Sequence, residues 1–154
     1  MKKLVWIAIL ATLCPSKSAL SQEQPSPSSK TDALVFREPF TLKLRVDKDH
    51  YYEEPYDKRI PYVADDDVYL FSGENFGVNL GIKDDEVVEL TYQPNIKKAD
   101  VWFSFAQEKE LVGGIGMMLI IQNKLKRGVQ MDALMTVPGK KEIYKTGILP
   151  VEAG

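Results

Sequence analysis

The sequence predicts an all-β protein: an antiparallel sandwich, immunoglobulin-like in architecture, with a small up-and-down β-barrel as the alternative closure. Two observations carry this expectation. Apolar residues recur at every second position through most of the chain after residue 39, the period of a half-buried strand. The runs, about eight of them, are separated by Gly, Pro, Asn and Asp turn chemistry, with no helical segment long enough to cross between parallel strands. The likeness to an immunoglobulin domain is one of architecture alone, because Cys14 is the only cysteine and a Cys-Trp-Cys signature is absent.

Each run is read from its own pattern. Phe40, Leu42, Leu44 and Val46 alternate with Thr41, Lys43 and Arg45, giving one buried and one wet face. Residues 68–71 make a short second strand. Phe76, Val78, Leu80 and Ile82 alternate with Gly77, Asn79 and Gly81, where small residues imply close packing or a bulge. Val88, Leu90 and Tyr92 form the next strand, stopped by Gln93-Pro94-Asn95. Residues 101–106, 117–122 and 129–137 follow, and the last turns through Pro138-Gly139-Lys140-Lys141 into residues 142–145.

Residues 1–21 have the form of a cleaved secretory signal. Lys2 and Lys3 precede an uncharged apolar run over residues 4–13, and Ala19 and Ser21 are small residues where a signal peptidase reads. The run falls well short of the roughly 20 residues a membrane span requires. A periplasmic or secreted product without a transmembrane segment is expected. Leu13 and Thr12 are a poor context for lipidation of Cys14, so a lipid anchor there ranks below simple cleavage. Residues 22–32 (QEQPSPSSKTD) make a flexible Pro/Ser-rich linker, and residues 33–154 carry one domain.

The 20 basic and 22 acidic side chains give a formal charge of −2; loss of Lys2, Lys3 and Lys17 with the signal leaves 17 against 22, or −5. A mildly acidic domain is a poor fit to nucleic acid and suits another protein, one of cationic character included.

Two regions stand out as binding surfaces. With Val101, Phe103 and Phe105 in the core, Trp102 faces the other way. Met117, Leu119 and Ile121 in the core send Met118 and Ile120 outward, and a core of Val129, Met131, Ala133, Met135 and Val137 leaves Leu134 outside. If these strands are neighbours, Trp102, Met118, Ile120 and Leu134 form one apolar outer face, which a two-layer sandwich does not need. Either residues 33–39 or 47–63 cover it as a third layer, or a partner or a second copy of the chain does. The second region is residues 47–67, a long connection with four tyrosines, the single histidine and eight acids. There Tyr51, Tyr52 and Tyr56 offer broad contact area. An alternative for this loop is ligand or calcium binding through Asp47, Asp49, Asp65, Asp66 and Asp67, although the spacing matches no EF-hand.

Catalysis has little support in the sequence. His50 has no second histidine to share a zinc ion and no nucleophile in a G-x-S-x-G setting. Asp84 and Asp85 fit a solvated turn, and Gly113-Gly114-Ile115-Gly116 lacks the lysine and helix of a phosphate loop. The expectation is a non-enzymatic binding module of inhibitor, toxin-immunity or envelope-assembly type, with no cofactor and no metal.

Overall fold

The computed structural model of the chain describes residues 34–109, 114–137, 139–140, 142–148 and 150–154. The expected signal and linker, with Cys14, lie outside the described residues. No described residue is helical. Ten strands form: β1 (Phe40–Arg45), β2 (Tyr51–Tyr56), β3 (Val63–Ala64), β4 (Asp67–Val68), β5 (Glu74–Lys83), β6 (Glu86–Gln93), β7 (Val101–Lys109), β8 (Ile115–Asn123), β9 (Ala133–Thr136) and β10 (Ile143–Thr146). They make one four-stranded antiparallel sheet of order β6-β5-β7-β8 and three two-stranded ribbons, β1-β2, β3-β4 and β9-β10. The sheets are not closed into a barrel.

Period-two alternation sets the inner face of the large sheet. Phe76 and Val78 of β5 and Val101, Phe103 and Phe105 of β7 are buried there, with Leu80, Leu90, Tyr92, Leu119 and Ile121 packed around them. Val63, Val68, Leu70, Met131 and Ala133 press onto this face from the other side. Complete burial of such side chains contributes about 1.5–3 kcal/mol apiece. A second cluster joins Leu42, Leu44, Tyr56 and Phe71, with Phe40, Tyr52 and Ile60 at its border.

Several expected strands are redrawn. The alternation of the first strand ends at Arg45, because the Val46 N–H bonds the His50 carbonyl at 2.9 Å and Val46 turns out to solvent. Residues 47–67 are no simple connection: β2 lies within them and pairs along the whole of β1, from Phe40↔Tyr56 to Arg45↔Tyr51. Strand pairing in residues 68–71 stops at Val68, while Leu70 and Phe71 are buried without it. Residues 129–137 contain only the short β9, preceded by a bridge from Val129 to Val151. Its pairing with β10 across residues 137–142 is the hairpin expected there.

The bulge suggested by the glycines of β5 sits on β6 instead. Gly81 pairs Glu89 and Ile82 pairs Val87, which leaves Val88 as the extra residue and explains why it is 56 % exposed. Gly77 has a different role. The order β6-β5-β7 requires the chain to pass β5 on its way from β6 to β7, and Ala99 crosses so closely that a Cβ on Gly77 would lie 2.2 Å from that of Ala99. Asp100 completes the crossing: its Oδ2 accepts the Leu80 N–H at 2.9 Å, just beyond the last β5–β7 pair, Val78↔Val101.

Candidate functional site on the outer sheet face

The β7–β8 register brings three of the four expected outer residues together. Trp102 lies opposite Gln122, Ser104 opposite Ile120 and Ala106 opposite Met118, so Trp102, Met118 and Ile120 share the outer face of two adjacent strands. The Trp102 indole N–H donates to the Gln122 Oε1, which holds the ring along the sheet surface. Ile120 is 46 % exposed, and Trp102 and Met118 are half-buried. Among the described residues, 34–39 and 47–63 do not form the third layer considered above: Tyr62 and Val63 pack on the inner face, and the Arg37 N–H donates to the Ile60 carbonyl beside them. The crossing at Ala99 packs over this face at Gly77, and its Ile96 carbonyl accepts from the Lys124 ammonium at the end of β8.

Leu134 is separated from the other three. The chain after β8 turns beneath the inner face, where Met131 and Ala133 enter the core, and β9 pairs β10 rather than joining the large sheet. Leu134 alternates with Ala133 and Met135 and stands opposite Lys145, so it faces away from the core that Ala133 enters.

The three tyrosines of β2 divide between its faces. Tyr56 is a core residue: its ring stacks on Phe40 at 5.1 Å and meets Phe71 edge-on at 5.1 Å. Burial, and then the neighbouring Glu54 carboxylate, hold its hydroxyl well above the ordinary tyrosine range. Tyr52 shares that face, half-buried, and donates to Glu54 Oε2 at 2.8 Å. Tyr51 alone is a surface residue, with the Lys43 ammonium 4.7 Å from its ring centre.

The acidic residues of this region serve turns. Asp47 Oδ1 accepts the N–H groups of Asp49 at 2.8 Å and His50 at 2.9 Å, and the His50 Nδ1 lies 2.8 Å from its Oδ2. The Asp49 bond, with the His50 side chain next, keeps the Asp47 carboxyl below the usual carboxylate range. Asp65, at φ 54°, and Asp66 turn the chain between β3 and β4. Among the described residues no three His, Cys, Asp or Glu side chains gather in a metal-holding arrangement.

Two features had no signal in the sequence. One is a cleft of about 320 Å³ beside β8, lined by Phe105, Met117, Leu119, Ile121, Met135 and Ile148 among others. The other is Arg37, only 4 % exposed, whose guanidinium bonds Glu74, the Pro61 carbonyl at 2.6 Å and the Tyr69 carbonyl, and lies 4.0 Å above the Tyr62 ring. Every arm of Arg37 is engaged by the protein, which makes it a structural tie rather than a ligand seat. Compared with known protein families, curated proteins and solved structures, the chain matches none of them.

Proposed function

We propose that this chain is an extracytoplasmic, non-enzymatic protein-binding module whose partner seats on Trp102, Met118 and Ile120. The observation that carries the reading is the exposure of Ile120 beside an oriented indole on an uncovered part of the sheet. Trp is enriched at binding hot spots, and Met adapts its shape to a partner. The mature charge of −5 favours a cationic partner surface, in an inhibitor, toxin-immunity or envelope-assembly role. The N-terminal signal pattern supports a periplasmic or secreted location. An immunoglobulin-like arrangement belongs to the same proposal, supported by one four-stranded sheet whose inner face is covered by short antiparallel pieces. The test is comparative capture from a periplasmic extract by the wild-type chain and by Trp102→Ala.

A further inference from the structure

The two edges of the large sheet are built differently. On β6 the Val88 bulge breaks the line of the strand, and Glu86 and Glu89 place charge along it, both devices that discourage another strand from pairing. On β8 neither device is present. Its nine residues, IGMMLIIQN, contain no charge and no proline, and their β7 register runs without a shift from Val101↔Asn123 to Lys109↔Ile115.

The open backbone groups can be assigned. The Lys124 N–H bonds the Asp100 carbonyl at 2.8 Å, so the even-numbered residues of β8 direct N–H and C=O toward β7. On the far side of β7 the Gly73 N–H bonds the Phe105 carbonyl at 2.7 Å, which agrees with that parity. Met117, Leu119 and Ile121 therefore direct theirs outward, and no described residue pairs with them. At the end of the strand the Asn123 Nδ2 bonds the carbonyls of Val151 and Glu152, which closes the edge just past Ile121. The cleft of about 320 Å³ opens beneath the same three residues.

We infer that β8 pairs antiparallel with β8 of a second copy of this chain about a two-fold axis at Leu119, joining two four-stranded sheets into one. In this register Met117 exchanges backbone bonds with Ile121 of the second copy, and Leu119 with Leu119. The outer face is matched at the same time, because Met118 falls opposite Ile120 in both directions. β8 carries no charge to repel its duplicate across the axis. The bulged, acidic β6 edges keep the assembly at two copies rather than a filament.

Sedimentation equilibrium of the chain, its Ile120→Lys and Met117→Pro variants, and the double variant Met118→Glu/Ile120→Lys tests this. The wild-type chain is expected at twice its monomer mass. Ile120→Lys is expected to raise the dimer dissociation constant at least tenfold, because the two introduced ammonium groups flank the axis. Met117→Pro does the same by removing an outward N–H that β7 does not use. The double variant returns the dimer, since each carboxylate then faces an ammonium across the axis. Both Ile120 and Met117 are exposed, and a cooperative thermal unfolding transition of Ile120→Lys shows that its fold is kept if Met117→Pro fails to accumulate. Trp102→Ala, which weakens capture of a foreign partner, leaves the dimer intact, so the two ideas fail separately. A wild-type monomer at millimolar concentration overturns the inference, and hydrogen exchange showing residues 117, 119 and 121 protected in that monomer assigns the edge to this chain's own segment. A dimer indifferent to Ile120→Lys, or one that the double variant does not restore, overturns it as well.

Discussion

Arg37 and Glu74, 37 positions apart, form a two-point ion pair at the seam between the two core clusters. The guanidinium lies over Tyr62 on one side and 5.0 Å from the Phe71 ring centre on the other, while Glu74 Oε2 also accepts the Phe71 N–H at 2.8 Å. One pair thus fixes the N-terminal stretch, the segment around Ile60 and Pro61, and the start of β5. Arg37→Ala is expected to destabilise the fold by about 3–5 kcal/mol, because it strands a half-buried carboxylate. Arg37→Lys recovers only part of this, since an ammonium cannot bond in two parallel contacts. Urea unfolding of the three proteins measures both effects.

The β5–β6 hairpin turns on Asp84 and Asp85, both in the left-handed region at φ 51° and 63°. That is the backbone of a two-residue type I′ turn, which Asn-Gly satisfies with least strain. Replacing both, as Asp84→Asn with Asp85→Gly, should stabilise the chain by about 0.5–1 kcal/mol, less whatever the exposed Asp85–Arg127 ion pair contributes. A shift of the urea midpoint upward without a change of slope is the expected result.

Tyr56 gives the fold an alkaline limit. Its hydroxyl is held above the ordinary tyrosine value of 10.0 in the folded chain, by burial first and by Glu54 second. The folded state therefore keeps a proton that the unfolded state releases. Its contribution is fully present below pH 10 and is lost as pH rises from there through the folded-state value. Tyr56→Phe should be no less stable at neutral pH, because the buried hydroxyl finds no hydrogen-bond partner among the described residues, and its stability should fall less steeply above pH 10. Denaturant titrations on both sides of that pH compare the slopes.

Export is read from residues 1–21 alone, so its check is chemical. Intact-mass measurement of the exported protein should place its N-terminus at Gln22, without lipid. A diacylglyceryl increment, or an N-terminus at Cys14, contradicts this and turns residues 22–32 into a tether.

Three strands were legible because Phe40 to Leu44 of the β1-β2 ribbon, and Phe76 to Leu80 and Val101 to Phe105 of the large sheet, each follow a strict period of two with one face turned to a core. What resisted reading was tertiary. Nothing local tells that Leu134 belongs to a ribbon on the other side of the core, since strand periodicity fixes a face but not which sheet supplies the neighbours. Tyr56 read as a contact residue because its loop is polar, and only the β1 register turns it inward onto Phe40. Arg37 lies between Phe36 and Glu38 with no pattern to mark it as buried, and its partners come from three distant stretches of chain. The grouping of Trp102 with Met118 and Ile120 was visible because it needs only that consecutive strands pair.

The outer face of β7 and β8 is proposed to serve binding rather than packing, and paired truncations of neighbouring residues separate the two roles. Phe103, buried on the inner face, should cost about 3–5 kcal/mol of stability as Phe103→Ala. Trp102→Ala, one residue away on the outer face, should leave the thermal unfolding curve nearly unchanged while weakening partner capture at least about tenfold, the loss expected from a hot spot above 1.4 kcal/mol. An unfolding curve for Trp102→Ala as damaged as that of Phe103→Ala would instead make Trp102 part of the packed fold and contradict the account.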